Sequence, residues 1–254
     1  RMTLTVQTFL IVCPLALLAG FLDSIAGGGG MISLPAYYLA GLPPALAAGT
    51  NKLSAMMGTT LATVTYGRAG KVDRRVGVPA ALGALVCSAV GALVMTGLPG
   101  NVVRWLVLGC IPVAALFTLR GRKRAAEPRV SSERGVFAVS LAIGCAIGFY
   151  DGLVGPGTGT FLILIFLQVF AMDEVLASGT AKLVNLASNA AALVSLLATG
   201  DVLIWLGLPA GLCAMLGAAL GSRLTLKRGG ALVRGMMLAA LALLLAKMLW
   251  DMIG

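Results

Sequence analysis

The chain has 254 residues, of which 59% are hydrophobic and 11% charged, where an ordinary soluble domain carries about 25% charged residues. That balance leaves no material for a water-facing surface and places the chain in a bilayer. The net charge of +10 does not indicate a nucleic-acid partner, because 14 of the 19 lysines and arginines fall in three short polar segments, 68–75, 120–134 and 223–234. Such loops set orientation by the positive-inside rule and meet anionic lipid head groups.

Apolar runs follow one another along the chain. Leu4–Ala26 comes first, then the short Met31–Ala40, Ala45–Thr65, Val76–Leu98 and Val102–Leu119. The first run leads into Ser24-Ile25-Ala26 and resembles a cleavable leader, but the same pattern returns in mid-chain, so it is read as a span. A second series consists of Gly135–Val154, the short Thr160–Ala171, Val175–Ala198, Val202–Gly221 and Leu232–Met252. The expected architecture is an all-α polytopic membrane protein, with about eight full transmembrane helices and two short broken-helix segments. Five cysteines (Cys13, Cys87, Cys110, Cys145 and Cys213) are scattered singly in these runs and read as packing residues. The chain contains no histidine, which removes imidazole relays and His-based metal sites. No metal and no cofactor are expected.

The two series are copies. Gly20-Phe21-Leu22-Asp23 matches Gly148-Phe149-Tyr150-Asp151, and each runs into a glycine-rich break, Gly27-Gly28-Gly29-Gly30 or Gly155-Pro156-Gly157-Thr158-Gly159. Gly49-Thr50-Asn51-Lys52-Leu53 falls on Gly179-Thr180-Ala181-Lys182-Leu183, and Gly70, Pro79 and Gly91 fall on Gly200, Pro209 and Gly221. An ordered series at near-constant offset indicates duplication, with residues 1–125 and 126–254 as the two transmembrane repeats. The loop after the Lys52 helix holds Arg68, Lys71, Arg74 and Arg75, whereas its counterpart around Asp201 holds no Lys or Arg. Equivalent loops of opposite charge bias belong on opposite faces of the membrane, so the repeats are expected to be inverted.

An ionised side chain in hydrocarbon needs a partner or a task. Apart from loops and span ends, four such residues remain: Asp23, Lys52, Asp151 and Lys182. Glycine runs end helices, and backbone freed at membrane depth must line a cavity or bind something. A half-helix that starts after the break turns its positive end into that cavity, which suits an anion. The expected substrate-binding set is Lys52 and Lys182, the break residues Gly28, Gly29, Gly30, Gly157, Thr158 and Gly159, and the neighbouring Thr50, Asn51, Thr180, Asn185 and Asn189. Asn185 and Asn189 share a helix face by their spacing. Asp23 and Asp151 either hold the lysines or take up coupling protons; the blander reading makes the pairs staples between repeats. The Gly155–Gly159 run lacks the Gly-Lys-Ser/Thr ending of a P-loop.

The run Asp23-Ser24-Ile25-Ala26-Gly27-Gly28-Gly29-Gly30 through Pro35 resembles the TauE/SafE (TSUP) family of sulfite and organosulfur-anion exporters. Gly41-Leu42-Pro43-Pro44 leading to Gly49-Thr50-Asn51-Lys52, and the turn Tyr66-Gly67-Arg68-Ala69-Gly70-Lys71-Val72-Asp73, fit it as well. So do Gly148–Gly152, Gly155–Gly159 and Thr180-Ala181-Lys182-Leu183-Val184-Asn185, which resemble the family's uncharacterised bacterial inner-membrane branch. The resemblance implies a multi-pass protein of the bacterial inner membrane that exports sulfite, sulfoacetate or related sulfonates. Its partners would be the anion, the lipid bilayer and a coupling proton or sodium ion. The halves differ at Asn51 against Ala181 and at Gly28 against Pro156, so a shared site is not symmetric. A secondary transporter working by alternating access is the leading expectation, and a passive anion channel of the same architecture the alternative. A membrane enzyme would want a carboxylate cluster or histidine, and is not expected.

Overall fold

The computed structural model describes residues 5–99 and 127–237, with the single positions 102, 125 and 239. Among the described residues the regular structure is helical. α1 (Val6–Ala26) ends at Gly27, and a short α2 (Gly30–Leu39) follows the break. α3 (Pro44–Arg68) and α4 (Arg74–Gly97) complete the first series. α5 (Glu133–Leu153), the short α6 (Thr158–Val169), α7 (Glu174–Ala198) and α8 (Ile204–Arg228) form the second, and residues 230–237 are helical again. The expected span Val102–Leu119, apart from Val102, lies outside the described residues, as does most of Leu232–Met252. The expected repeat boundary at 125–126 borders that undescribed stretch.

The starts of these helices are written locally. Asp73 accepts from Arg75 N at 2.8 Å and Val76 N at 3.3 Å, and Asp173 accepts from Val175 N at 3.0 Å and Leu176 N at 2.9 Å, each filling an orphan donor of the first turn. Ser132 does the same for Gly135 N at 3.2 Å. Among the described residues, five helices (α1, α4, α5, α7 and α8) are long and apolar enough to cross a membrane. α3 matches them in length at 25 residues, but Thr50, Asn51, Lys52, Ser54, Thr59 and Thr60 lower its hydropathy. α8 runs on to Arg228, beyond the Gly221 at which hydropathy alone ends it, because its amphipathic end still packs: Ser222 and Thr225 are buried.

Helices are held together through small residues. Gly144, Gly148 and Gly152, spaced by four residues, form a stripe on α5 that faces Ala80, Ala84 and Ser88 of α4. A Cβ on Gly148 would lie 2.5 Å from Ala84 Cα, so only glycine permits this approach. The copied contact sets Gly20 of α1 against Ala214 of α8. In both pairs the residue numbers rise together, so α4 runs with α5 and α1 with α8. Each half is thus knitted to the other by exchanged pairs.

Finer contacts exchange in the same way. Thr50 Oγ1 accepts from Leu203 N at 3.0 Å, and Thr180 Oγ1 accepts from Asp73 N at 3.0 Å. Gly49 closes against the Asp201 carbonyl and Gly179 against the Lys71 carbonyl. α3 and α7, the counterparts that carry the lysines, run in opposite directions, with Tyr66 beside Ser178 and Lys52 beside Asn189. The basic loop after α3 meets the start of α7. Arg75 reaches Glu133 at 3.6 Å, and Arg234 pairs with Glu174. The described parts of the three basic segments therefore gather at one end of the bundle. The loop after α7 lies at the other end, where Val202 packs with Leu98, Met95 and Leu196.

Candidate functional site

Gly27 ends α1 with φ +77°, a left-handed conformation that glycine adopts without strain. The second break turns through Gly155 at φ +91° and Gly157 at +89° before α6 begins. The two breaks touch: a Cβ on Gly159 would stand 2.5 Å from Gly27 Cα. The carbonyls that the end of α1 leaves without helix partners are taken up from three other helices. Tyr66 Oη donates to Ser24 O at 2.8 Å, Ser178 Oγ to Ile25 O at 2.9 Å and Thr160 Oγ1 to Ala26 O at 2.8 Å. These three carbonyls are thus capped in a region where lipid could not cap them.

Beside the contact lies a cavity of about 60 Å³. Its wall includes Asp23, Gly29, Gly30, Asn51, Lys52, Asp151, Thr158, Gly159, Asn185 and Asn189, drawn from both halves. The remaining expected site residues lie off the wall. Thr50 and Thr180 bond the backbone of the opposite half, and Gly28 and Gly157 shape the breaks from behind. Lys182, with a side chain 0% exposed, sits behind Asp23.

The four charges form two ion pairs, and each joins one half to the other. Lys52 Nζ lies 2.7 Å from Asp151 Oδ2 and donates also to Asn189 Oδ1 at 3.1 Å. Lys182 Nζ lies 2.8 Å from Asp23 Oδ2. The surroundings differ. Asp151 also receives a hydrogen bond from Ser188 Oγ, and its Oδ1 faces the Thr158 hydroxyl at 2.9 Å. Asp23 has one further donor, Gly29 N, at 3.4 Å. The Asp23 side chain is 24% exposed and that of Asp151 7%.

Ser188 and its neighbour Ser88, which donates to Ser188 O at 2.9 Å, were not singled out by sequence. One signal could have found part of this network. Ser178, Lys182, Asn185, Ser188 and Asn189 follow helical spacing on α7 and are all buried, a continuous polar stripe in an apolar span. Ser88 lies on a different helix and has no such pattern. The Oδ1 atoms of Asn51 and Asn185 are buried without a hydrogen-bond partner, and both residues line the cavity. Native structures rarely leave such groups unmet.

Against known proteins, a family model described as "Sulfite exporter TauE/SafE" matches residues 12–248. The chain belongs to the TauE/SafE family. It is 37% identical over 237 residues to the "Probable membrane transporter protein ORF9" of Sinorhizobium sp, a match over 93% of this chain and 90% of that protein. It is 36% identical over 242 residues to the "Probable membrane transporter protein YfcA" of Escherichia coli K12, covering 94% and 88%. A "Probable membrane transporter protein" of Haemophilus influenzae is 31% identical over 250 residues, 98% of each. With its apolar helices, the chain is a multi-pass membrane transporter of the TauE/SafE family.

Proposed function

We propose that this TauE/SafE protein is a secondary transporter. It carries small sulfur-containing anions, such as sulfite, sulfoacetate or related sulfonates, outward across a bacterial inner membrane. The observation that carries the reading is the cavity where the two breaks touch, with Lys52 on its wall and the α6 start at Thr158 and Gly159 opening into it. A cation and a helix N-terminus together favour an oxyanion. At about 60 Å³ the cavity exceeds the space one water needs and has room for a small anion.

Alternating access would follow from two inverted repeats, residues 1–125 and 126–254. Three observations support inversion: the antiparallel course of α3 and α7, the exchanged Thr50–Leu203 and Thr180–Asp73 contacts, and the placing of the counterpart loops at opposite ends. One half then rocks against the other about the Gly27–Gly159 contact, and the coupling ion is a proton or a sodium ion.

The test is flux in proteoliposomes across sulfite, thiosulfate, sulfonates and carboxylates. Lys52→Ala should weaken apparent affinity about tenfold or more, the worth of one charge-assisted hydrogen bond. Uphill accumulation driven by an ion gradient excludes a passive channel. Transport of carboxylates alone, or unchanged flux in both Lys52→Ala and Lys182→Ala, would overturn the reading.

A further inference from the structure

Two lysines and two aspartates bring the cavity region to zero net charge while it is empty. An anion entering alone would leave one uncompensated negative charge at membrane depth, where solvation cannot repay it. A proton that enters with the anion restores neutrality, and it must settle on one of the two carboxylates.

We propose that Asp23, and not Asp151, is the carboxylate that takes up one proton with the anion; this rests on the anion-transport reading above. Asp151 Oδ2 holds two donors, Lys52 Nζ and Ser188 Oγ, and its Oδ1 faces Thr158 Oγ1, which also reaches Gly155 O at 2.6 Å. A protonated carboxyl is itself a donor and needs an acceptor, so a proton on Oδ2 would displace Lys52 or Ser188, and one on Oδ1 needs the Thr158 hydroxyl turned to Gly155 O. Asp23 holds Lys182 on one oxygen and only a 3.4 Å contact from Gly29 N on the other. It stands on the cavity wall and is the more exposed of the two. The same cavity wall carries two acceptors without partners among the described residues, the carboxamide oxygens of Asn51 and Asn185, which water can link to an Asp23 O–H.

The charged and titratable groups facing Asp23 are few. Lys182 comes from α7, and Tyr66 of α3 holds the Ser24 carbonyl next to it. The Lys52–Asp151 pair stands on the same cavity wall. The cavity residues contributed by α2, α6 and α8 (Gly30, Ser33, Thr158, Gly159 and Ala214) carry no titratable group. The proton comes from water on the side where the cavity is open. Once Asp23 is neutral, the Lys182 charge is released and balances the anion. On the far side the anion leaves, the proton returns to water, and the Asp23–Lys182 pair re-forms. The loaded and the empty carrier have the same charge, so exchange of a monovalent anion is electroneutral.

The experiment uses the full chain in lipid vesicles with a trapped pH dye. Methanesulfonate and thiosulfate serve as probes because they stay ionised at neutral pH, so any proton moved is the protein's; nitrate is the non-sulfur comparison. Wild type should move about one proton per anion, the most that one carboxylate carries, and Asp23→Asn close to none. Infrared difference spectra on anion addition at constant pH give a second readout. A protonated-carboxyl band should appear in wild type and be absent from Asp23→Asn. Should Asp23→Asn fail to fold, Asp23→Glu must shift that band and Asp151→Glu must leave it in place. A band that survives Asp23→Asn, a band shifted by Asp151→Glu, or no band with any anion overturns the assignment. Anion flux without proton movement overturns it while leaving the transporter reading intact. A band and flux with nitrate alone sink the sulfur-anion reading and leave Asp23 in its role.

Discussion

Replacing Asp151 by Asn keeps the shape of the side chain and removes the charge opposite Lys52. The structure allows little relief. The Lys52 and Asp151 side chains are each 7% exposed, and the ammonium would keep only neutral oxygens, Asn189 Oδ1 at 3.1 Å among them. Breaking a buried ion pair on one side costs about 3–5 kcal/mol, since the remaining charge stays desolvated. For a chain of this size that lowers the unfolding midpoint by roughly 6–20 °C, taking about 2–4 °C per kcal/mol. Thermal unfolding of the purified protein in one detergent, followed by tryptophan emission, reads the shift. The paired change Lys52→Met with Asp151→Leu removes both charges and should recover most of the loss, because an apolar replacement of a buried pair is often neutral or better. Transport should not return with it, as Lys52 is gone. If Asp151→Asn unfolds within about 0.5 kcal/mol of wild type, the pair is not desolvated in the membrane and the reasoning fails. A double variant worse than the two single changes combined would refute it as well.

Gly159→Ala places a Cβ 2.5 Å from Gly27 Cα, so the breaks must part. Vesicle flux should be nearly abolished, and full flux would show that the breaks need not touch. Tyr66→Phe strips the hydroxyl that caps the Ser24 carbonyl inside the bundle. A loss of about 1–3 kcal/mol is expected by thermal unfolding, the desolvation penalty of one unmet carbonyl. Thr50→Val and Thr180→Val each orphan one backbone amide of the opposite half, Leu203 N and Asp73 N. Their midpoint shifts should agree within about 0.5 kcal/mol, and a large inequality would argue against equivalent roles. Arg75 and Glu133 are mostly exposed at 3.6 Å, so Arg75→Ala should leave the midpoint unchanged.

The amino-acid sequence by itself determined the features that depend on local composition. Apolar runs mark the helices because hydrocarbon accepts little else, and the breaks at Gly27–Gly30 and Gly155–Gly159 show because glycine ends a helix wherever it accumulates. Asp23, Lys52, Asp151 and Lys182 stood out for the same reason, as charges in apolar surroundings. α3 was the weakest span by hydropathy because its polar residues serve the cavity and its neighbours rather than lipid.

Tertiary structure alone decided how these parts meet. That Lys52 pairs with Asp151 and Lys182 with Asp23 follows from helices of one half packing on those of the other, through glycine contacts such as Gly148–Ala84 and Gly27–Gly159. Close approach depends on the shapes of two distant segments at once, and no local pattern encodes it. The same packing put Lys182 behind Asp23 and turned Thr50 and Thr180 toward backbone amides. It also brought Ser188 to Asp151. The two aspartates are alike in sequence, and unlike in the donors that three-dimensional packing sets around them.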